Sequence, residues 1–315
     1  MNTEYPIGWF AVAFSSALAE RSAVPVRAFG EQLVAWRDEQ GRAHVMDAFC
    51  PHLGAHLGVG GTVVDGRLQC PFHGWRFDTA GRCVEVPYAK VKPAAGVRVW
   101  PVREQNGVIL AWHGAPDRQP DWEMPVLDRD GWTPDLTVEW TLRGLAQDIL
   151  ENGVDGAHFK WVHQSSIMAA TGLPEATDHC FRVDLAPLAD SDEELPGIPL
   201  RSEIHGPGMV MAVHTGEGFE GCYRLYATPL DRERIVLRGL VAVKAAQDAE
   251  PLNQAIFDAV RAQWESDTLI WDNKIHRPTP LLTTEERLIG QFRRWYRAAF
   301  LEADASLADA SGRAG

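Results

Sequence analysis

The sequence predicts an α+β protein, in which an N-terminal all-β domain is followed by an antiparallel sheet domain with a long C-terminal helix. Three observations support this class. The first hundred residues alternate polar and apolar positions between turns, which indicates short strands. Three further strand-like runs lie in the second half of the chain, and a helical apolar period begins near Pro251. A chain of 315 residues is long enough for two domains of this kind.

Two β-hairpins are expected in the N-terminal part. The run LVAWRDEQGRAHVMDAF (33–49) alternates on both sides of a Gln-Gly turn, and GVRVWPVREQNGVILAWHG (96–114) indicates a second hairpin. The next stretch, APDRQPDWEMPVLDRDGWTPD (115–135), is rich in Pro and Asp, as is typical of a crossing between domains. We therefore place the first domain at 1–117 and the second at 118–302.

The second domain is expected to contain helices and an antiparallel sheet. Its pattern turns helical from 140 to about 164, and the acidic stretch 181–196 is predicted to be a loop. Three strands are predicted in MVMAVHTG (209–216), GCYRLYATPL (221–230) and RIVLRGLVAVKA (234–245), before a long helix from about Pro251 to Lys274. The small and polar tail, 303–315, is expected to be disordered.

The composition excludes several classes of partner. A net charge of −13 argues against nucleic acid, and no apolar run is long enough for a membrane span. The apolar segment PIGWFAVAFSSALAE (6–20) has no basic residue before it, so we interpret it as a folded segment and expect a cytoplasmic protein. Five cysteines at irregular spacing do not suggest a disulfide scaffold, and closely matched cysteines and histidines suggest metal binding instead. The basic run GQFRRWYR (290–297) indicates either an anion site or a helix that covers the core.

Two short segments, CPHLGAHLGVG (50–60) and CPFHGWRFDTAGRC (70–83), form the first candidate metal site. They supply Cys50, His52, Cys70 and His73, and two thiolates on one iron with two imidazoles on the other describe a Rieske [2Fe–2S] centre. A structural Cys₂His₂ zinc site is the alternative, although the order C-x-H and C-x-x-H departs from that of zinc fingers.

The segment ENGVDGAHFKWVH (151–163) forms the second candidate site, with the pattern Asn152-x-x-Asp155-x-x-His158-x₄-His163. On a regular helix, residues five apart point about 140° away from each other. If both histidines bind one ion, the helix between them must therefore be irregular. The alternative is a pair of ordinary histidines near a helix end.

Together, the two patterns resemble the terminal oxygenase component of the Rieske non-haem iron oxygenases, and the likeness covers nearly the whole chain. The segments SDTLIWDNK (266–274), PLL (280–282) and GQFRRWY (290–296) are similar to the 3-ketosteroid 9α-hydroxylase branch. The resemblance implies a helix-grip (START-like) second domain. It also implies a mononuclear Fe(II) held by His158, His163 and a distant carboxylate, a 2-His-1-carboxylate triad.

Helical phase selects the distant carboxylate. Asp267 falls within an apolar stripe of the long helix, whereas Asp272 projects from the opposite, solvated face. The stripe consists of Ile256, Val260, Trp264, Trp271 and Ile275. Since a buried carboxylate needs a compensating cation, we predict Asp267 as the third ligand, with a buried salt bridge to an arginine as the alternative.

The resemblance also implies roles for two residues between the metal sites. Asp155 would connect His158 to the cluster ligand His73 of a neighbouring subunit, because the two metals of one chain lie too far apart and head-to-tail homotrimers bring them together. The alternative for Asp155 is an ordinary aspartate on a helix surface. Asn152 is expected to line the iron pocket.

The implied activity is O₂-dependent monooxygenation. The implied substrate is an apolar small molecule, either a bulky alicyclic or polycyclic compound or a natural product. No G-x-G-x-x-G follows a strand, so electrons from NAD(P)H are expected through a separate flavin-dependent reductase, a ferredoxin, or both. Desaturation and N- or O-demethylation are alternatives at the same metal sites. A non-catalytic electron carrier and a lipid-cavity binding protein with a vestigial cluster are alternatives from other classes.

One departure from the respiratory Rieske proteins bears on the cluster. Ala55, Phe72 and Trp75 stand where those proteins carry an extra cysteine in each loop and a serine. Fewer hydrogen bonds to the sulfurs predict a reduction potential near the low end of the Rieske range, about −150 mV. That potential suits an electron donor for oxygen chemistry.

Overall fold

The computed structural model describes residues 5–115, 118–188 and 197–301, which form two compact units. One unit comprises Trp9–Asp121 with Leu230–Arg232, and the other comprises Trp122–Pro229, 233–301 and residues 5–8. The domain boundary between residues 117 and 118 stays a prediction. The predicted disordered tail, 303–315, lies outside the described residues. Within the described ranges, no helix combines the length and apolar character that crossing a bilayer requires.

The N-terminal unit is built from short antiparallel strands. These are β1 (Gly8–Phe14), β2 (Ala23–Ala28), β3 (Glu31–Arg37), β4 (Ala43–Asp47), β5 (Thr62–Val64), β6 (Arg67–Gln69), β7 (Arg76–Phe77), β8 (Cys83–Glu85), β9 (Val99–Trp100), β10 (Val102–Gln105) and β11 (Val108–His113), with a 3₁₀ turn at Ser15–Ala17. They form three sheets, in the orders β1-β11-β10, β2-β3-β4-β9 and β5-β6-β7-β8. Both predicted hairpins are present, as β3–β4 and β10–β11.

The second unit contains a large antiparallel sheet and the helices. Its strands are β12 (Leu136–Arg143), β13 (Met168–Ala170), β14 (Glu175–Ala176), β15 (Cys180–Pro187), β16 (Leu200–His205), β17 (Met209–Gly216), β18 (Phe219–Pro229) and β19 (Arg234–Ala245). Its helices are α1 (Ala146–Leu150), α2 (His158–Trp161), α3 (Ala249–Trp271) and α4 (Arg287–Phe300), with a 3₁₀ turn at Glu151–Gly153. The strand order is β12-β19-β18-β17-β16-β15-β13, with β14 also paired to β15. The predicted α+β class is confirmed.

Two predicted element types were wrong. The helical pattern assigned from residue 140 begins in a strand, because Val138, Trp140 and Leu142 alternate with polar residues and β12 pairs with β19 along its length. The predicted loop at 181–196 is wrong for its first part, which lies in β15 and whose buried residues Phe181 and Val183 alternate in the same way. Its second part, 189–196, lies outside the described residues. In both stretches, pairing with a neighbouring strand decides the conformation.

Helix α3 covers one end of the sheet through its buried aromatic residues. Trp264 lies edge-on to Trp140 of β12, with the ring centroids 6.3 Å apart, and it sits over Gly239 of β19. Phe257 and Trp271 are also buried, so the predicted stripe is correct at its centre, whereas Ile275 lies beyond the helix end and is exposed. Asp267 lies on this buried face.

Candidate metal centres

The four predicted cluster ligands lie in two loops that share one turn geometry. In each loop the glycine four residues after the cysteine donates its N–H to the cysteine carbonyl, at 3.0 Å for Gly54–Cys50 and 3.1 Å for Gly74–Cys70. Both glycines have a φ near +70°, at 75° and 71°, which residues with a Cβ rarely adopt. The sequence therefore builds the same turn twice, before β5 and between β6 and β7.

The side chains of these loops separate into a buried thiol pair and a more exposed imidazole pair. Cys50 and Cys70 are each 2% exposed and lie within hydrogen-bonding reach of each other. The rings of His52 and His73 have centroids 4.6 Å apart, and His52 stacks on Trp75 at 4.7 Å. This separation fits a cluster whose two irons have different ligands.

The electrostatics of the thiol pair also fit a metal cluster. Burial raises the pKa of Cys50 to about 11, with help from the neighbouring Cys70 thiol and against a hydrogen bond from the His52 main chain. The Cys50 thiol would therefore stay protonated by itself. Iron would supply the positive charge that lets it ionise and act as a ligand.

The second site is formed where the chain leaves the 3₁₀ turn at Glu151–Gly153 and enters α2. Helix α2 is only one turn long, so His158 lies at its start and His163 in a bend beyond its end. The two rings have centroids 5.0 Å apart and planes at 78° to each other. The five-residue step thus brings both imidazoles together because the helix stops between them.

Asp267 of α3 completes this group. The ligand atoms of His158, His163 and Asp267 all lie within 4.8 Å of one another, and His163 Nε2 is 3.4 Å from Asp267 Oδ2. Two imidazoles and one carboxylate are the donor set of the facial triad that binds Fe(II). Among the described residues no arginine or lysine pairs with Asp267, so the salt bridge that was the alternative is not observed there.

Asp155 holds His158 through its main chain. The Asp155 carbonyl oxygen is 2.7 Å from His158 Nδ1, which fixes the tautomer that leaves Nε2 free to bind metal. The Asp155 carboxylate lies further away, with Oδ2 at 3.8 Å from Nδ1, while Oδ1 accepts the Ala157 N–H at 3.0 Å. The carbonyl therefore orients the ligand, and Oδ2 remains available to another group.

Charge and packing keep the histidine ligand neutral and in place. Burial lowers the pKa of His158, against the raising effect of Asp267 and Asp155, so its imidazole is unprotonated at neutral pH and can coordinate. Gly156, between Asp155 and His158, lies directly on the main chain of Met168. A Cβ at Gly156 would be 1.8 Å from the Met168 carbonyl oxygen, which excludes any other residue there without movement of the segment.

The three ligands open onto a cavity of about 140 Å³ between the sheet and α3. Asn152 lines this cavity, and its Oδ1 is 3.4 Å from Trp271 Nε1. The sheet residues that line it are mainly apolar. Val210, Ala212, Tyr223 and Leu225 come from strands that the sequence predicted, whereas Leu185, Leu200 and Ser202 come from β15 and β16, which it did not. The site thus combines the donor set of a mononuclear iron site with a mostly apolar pocket.

An ion-pair network that sequence reasoning missed supports the turn carrying Asn152. Arg293 of α4 donates from Nη2 to Glu151 Oε1 at 2.9 Å and from Nε to Glu151 Oε2. The buried carboxylate of Asp148 lies 3.0 Å from His276 Nδ1. The basic run GQFRRWYR thus anchors α4 to the metal-binding segment, and no local sequence signal indicates which acid Arg293 meets.

A second group of metal-binding residue types, Cys180, Glu203 and His205, lies on β15 and β16. Its donors already engage one another, since His205 Nε2 is 2.9 Å from Glu203 Oε2 and Arg182 Nε is 2.9 Å from Glu203 Oε1. Burial alone would lower the pKa of His205, but contacts with Cys180 and Glu203 outweigh it and raise that pKa to about 9. We interpret this group as a structural ion-pair network.

Comparison with known families covers both units. Residues 8–101 match the Rieske [2Fe-2S] domain, and residues 111–300 match the 3-ketosteroid 9alpha-hydroxylase C-terminal domain. The chain is 31% identical to a cholesterol 7-desaturase of Ciona intestinalis, over 95% of this chain and 69% of that protein. It is 27% identical to a 3-ketosteroid-9-alpha-monooxygenase, oxygenase component, of Rhodococcus rhodochrous, over 94% of this chain and 80% of that protein.

Solved structures show the same fold at lower identity. The chain superimposes on NdmA of Pseudomonas putida CBB5 with caffeine with a TM-score of 0.76 and 19% identity, covering 92% of this chain and 89% of that one. It superimposes on dicamba monooxygenase bound to 3,6 dichlorosalicylic acid with a TM-score of 0.77 and 17% identity, covering 94% and 97%.

Proposed function

We infer the function from the family: this chain belongs to the Rieske oxygenases and has a 3-ketosteroid 9α-hydroxylase-type C-terminal domain. We propose that it oxidises a polycyclic substrate beside His158, His163 and Asp267. The chain is an oxygenase component, and its cofactors are a Rieske [2Fe–2S] cluster and a mononuclear iron. Its electrons come from a separate reductase or ferredoxin. When bound, the cluster supplies single electrons and the mononuclear iron supplies a site for O₂.

One observation carries the proposal: the buried group of His158, His163 and Asp267 opens onto an apolar cavity in a chain that also has a Rieske domain. In this proposal Cys50 and Cys70 hold one cluster iron, and His52 and His73 hold the other. The Asp155 carbonyl keeps His158 in the coordinating tautomer. The apolar walls exclude water and bring a C–H bond of the substrate close to the metal-binding face.

The names of the relatives support a steroid-like substrate. The Ciona relative is named for cholesterol and the Rhodococcus relative for 3-ketosteroids, so both act on fused-ring compounds. Monooxygenation and desaturation both remove hydrogen from an unactivated C–H bond, so one site can serve either reaction. We propose monooxygenation as the main activity and keep desaturation as the alternative, because the similar proteins include both kinds of enzyme.

The cavity volume constrains how such a substrate binds. About 140 Å³ is less than the roughly 300–1,000 Å³ of typical small-molecule sites. We propose that the reacting ring enters the cavity and that the rest of the substrate lies toward α3, where the exposed Gln263 also lines it.

We propose that the active assembly is a head-to-tail homotrimer. Exposed apolar residues flank the cluster loops, with Leu53 65% and Phe72 60% exposed. A separate cavity of about 380 Å³ in the catalytic unit is lined by Asp155 and by Leu173, which is 84% exposed. Burying the loop tip of one protomer against this cavity of the next would cover both apolar surfaces and bring His73 of the partner subunit to Asp155 Oδ2.

We also keep the prediction of a cytoplasmic location. The support for it is chemical, since all five cysteines are free thiols and two of them belong to the proposed cluster site.

Iron content and single-turnover product analysis test the proposed function. Purified protein should bind two cluster irons and one mononuclear iron per chain, whereas an electron carrier would bind only the two. Protein reduced by dithionite and then exposed to O₂ with a steroid panel should yield a product with one added oxygen atom, or with two hydrogens fewer if it desaturates. Fully cluster-loaded protein that lacks the third iron and forms no product would contradict the proposal.

A further inference from the structure

Ser202 is a buried polar residue that the proposed site has not yet used. It lies in β16, where its main chain pairs with Val183 of β15 and Ala212 of β17 in the sheet. Its side chain is 1% exposed, and among the described residues its Oγ has no hydrogen-bond partner. A buried hydroxyl without a partner destabilises a protein, so one that persists calls for an explanation.

The Ser202 side chain lines the same cavity as the metal-binding residues. It belongs to a row of residues across three strands, in which Ser202 pairs with Ala212 and Ala212 pairs with Tyr223. Tyr223 also lines the cavity, and only the small Ala212 separates the two hydroxyl-bearing residues along the row. The other sheet residues at this end are aliphatic: Leu185, Leu200, Val210 and Leu225.

The polar groups on this floor are neutral. Burial raises the pKa of Tyr223 to about 12, so its phenol stays protonated in the physiological range. Asn152, in the 3₁₀ turn at Glu151–Gly153, already accepts the Trp271 indole N–H. Among the described sheet residues of this cavity none is charged, so a neutral ligand oxygen suits the Ser202 hydroxyl, which can donate or accept.

We infer that Ser202 Oγ hydrogen-bonds a neutral oxygen, a ketone or a hydroxyl, on the substrate and thereby orients the ring system against the metal-binding face. The inference rests on the proposed function and refines it, because it requires a substrate that carries an oxygen function. A site built to pair with a substrate oxygen discriminates against the analogue that lacks it, since the protein hydroxyl then stays unpaired.

The test compares Ser202→Ala with wild-type holoenzyme in two measurements. Equilibrium dialysis gives Kd for 5α-androstane-3,17-dione and for 5α-androstane, which has the same saturated rings without the ketones. We expect Ser202→Ala to weaken binding of the dione about tenfold, the factor that corresponds to about 1.4 kcal/mol, and to change the Kd of androstane less than about twofold.

The second measurement is the Tm of the ligand-free holoenzyme. Ser202→Ala should not lower Tm, because no protein group loses a partner. The matched control is Thr133→Val, which removes a buried hydroxyl that does accept a hydrogen bond, from Val243 N at 3.0 Å, and should lower Tm.

Three results would overturn the inference: a loss of Tm in Ser202→Ala equal to that in Thr133→Val, an equal effect on both ligands, or no binding of either ligand to the wild type. The last result would leave the oxygenase activity standing as long as the third iron is present and O₂ is consumed by the reduced protein. Failure of the proposed function would instead appear in those two measurements.

Discussion

Replacing Asp267 by Asn separates a metal-binding role of this carboxylate from a structural one. With Fe(II) at 100 times its Kd, binding should stabilise the wild type by about 2.7 kcal/mol. In a unit of roughly 150–250 residues, each kcal/mol of added stability raises Tm by about 2–4 °C, so this increment raises Tm by about 5–11 °C. Asp267→Asn should lose the increment, because a neutral amide replaces the one anionic ligand of the His158–His163–Asp267 group.

Without mononuclear iron, Asp267→Asn should leave the free energy of unfolding unchanged or increase it. Asp267 is 5% exposed, and within the described ranges its carboxylate lies beside His158 and His163 and pairs with no arginine or lysine. The substitution therefore removes a poorly compensated buried charge, and the free energy of unfolding should stay equal or rise. The assay is anaerobic thermal unfolding of cluster-loaded protein with and without Fe(II), together with iron content. Asp272→Asn is the matched control, since Asp272 is exposed and accepts the Arg143 N–H at 2.7 Å. Stoichiometric iron in Asp267→Asn, or a loss of about 3 kcal/mol or more in the iron-free variant, would refute the reasoning.

Four further outcomes are expected. Asp155→Asn should keep all three irons, because the main-chain carbonyl that holds His158 is unchanged, yet cluster reoxidation by O₂ in a single turnover should nearly stop; a normal rate would remove the bridging role. In the folded protein His205 has a pKa of about 9, above its ordinary value, so its contribution to stability should be complete below about pH 6.5. That contribution should be lost as the pH rises through 9, and urea unfolding midpoints should fall over the same window. Arg293→Gln should reduce the free energy of unfolding by about 3 kcal/mol, since it leaves the largely buried Glu151 unpaired, while the exposed Arg294→Gln should change it by less than about 0.5 kcal/mol; equal effects would contradict the assignment. The cluster should titrate near about −150 mV in spectroelectrochemistry, and a potential above 0 mV would show that the sulfurs receive more hydrogen bonds than the sequence suggests.

The sequence predicts most reliably what short segments encode by themselves. The two Cys-His loops and the Asp155–His163 segment are local motifs, and helical phase places Asp267 on the buried face of α3, where the structure has it. The hairpins follow from period-2 patterns between turns. In each case the deciding information lies within about twenty consecutive residues.

What escaped prediction depends on non-local pairing. Residues 136–143 form a strand because β19 lies beside them, a hundred positions later. The hydrogen bond that His158 Nδ1 donates to the Asp155 carbonyl depends on a main-chain atom, which no side-chain motif reveals. The meeting of Arg293 with Glu151 and the inward face of Ser202 are likewise set by tertiary contacts.

The close approach of Gly156 to Met168 has a consequence for engineering this enzyme. In a mutant library that randomises the segment around the proposed iron ligands, every substitution at position 156 would disrupt this contact. Even the Cβ of alanine would overlap the Met168 carbonyl oxygen. Diversity is better introduced on the strand side of the pocket, at Leu225, where a change of side-chain size reshapes the cavity from the sheet. New substrate scope should therefore be sought in the sheet, with residues 155–158 left as they are.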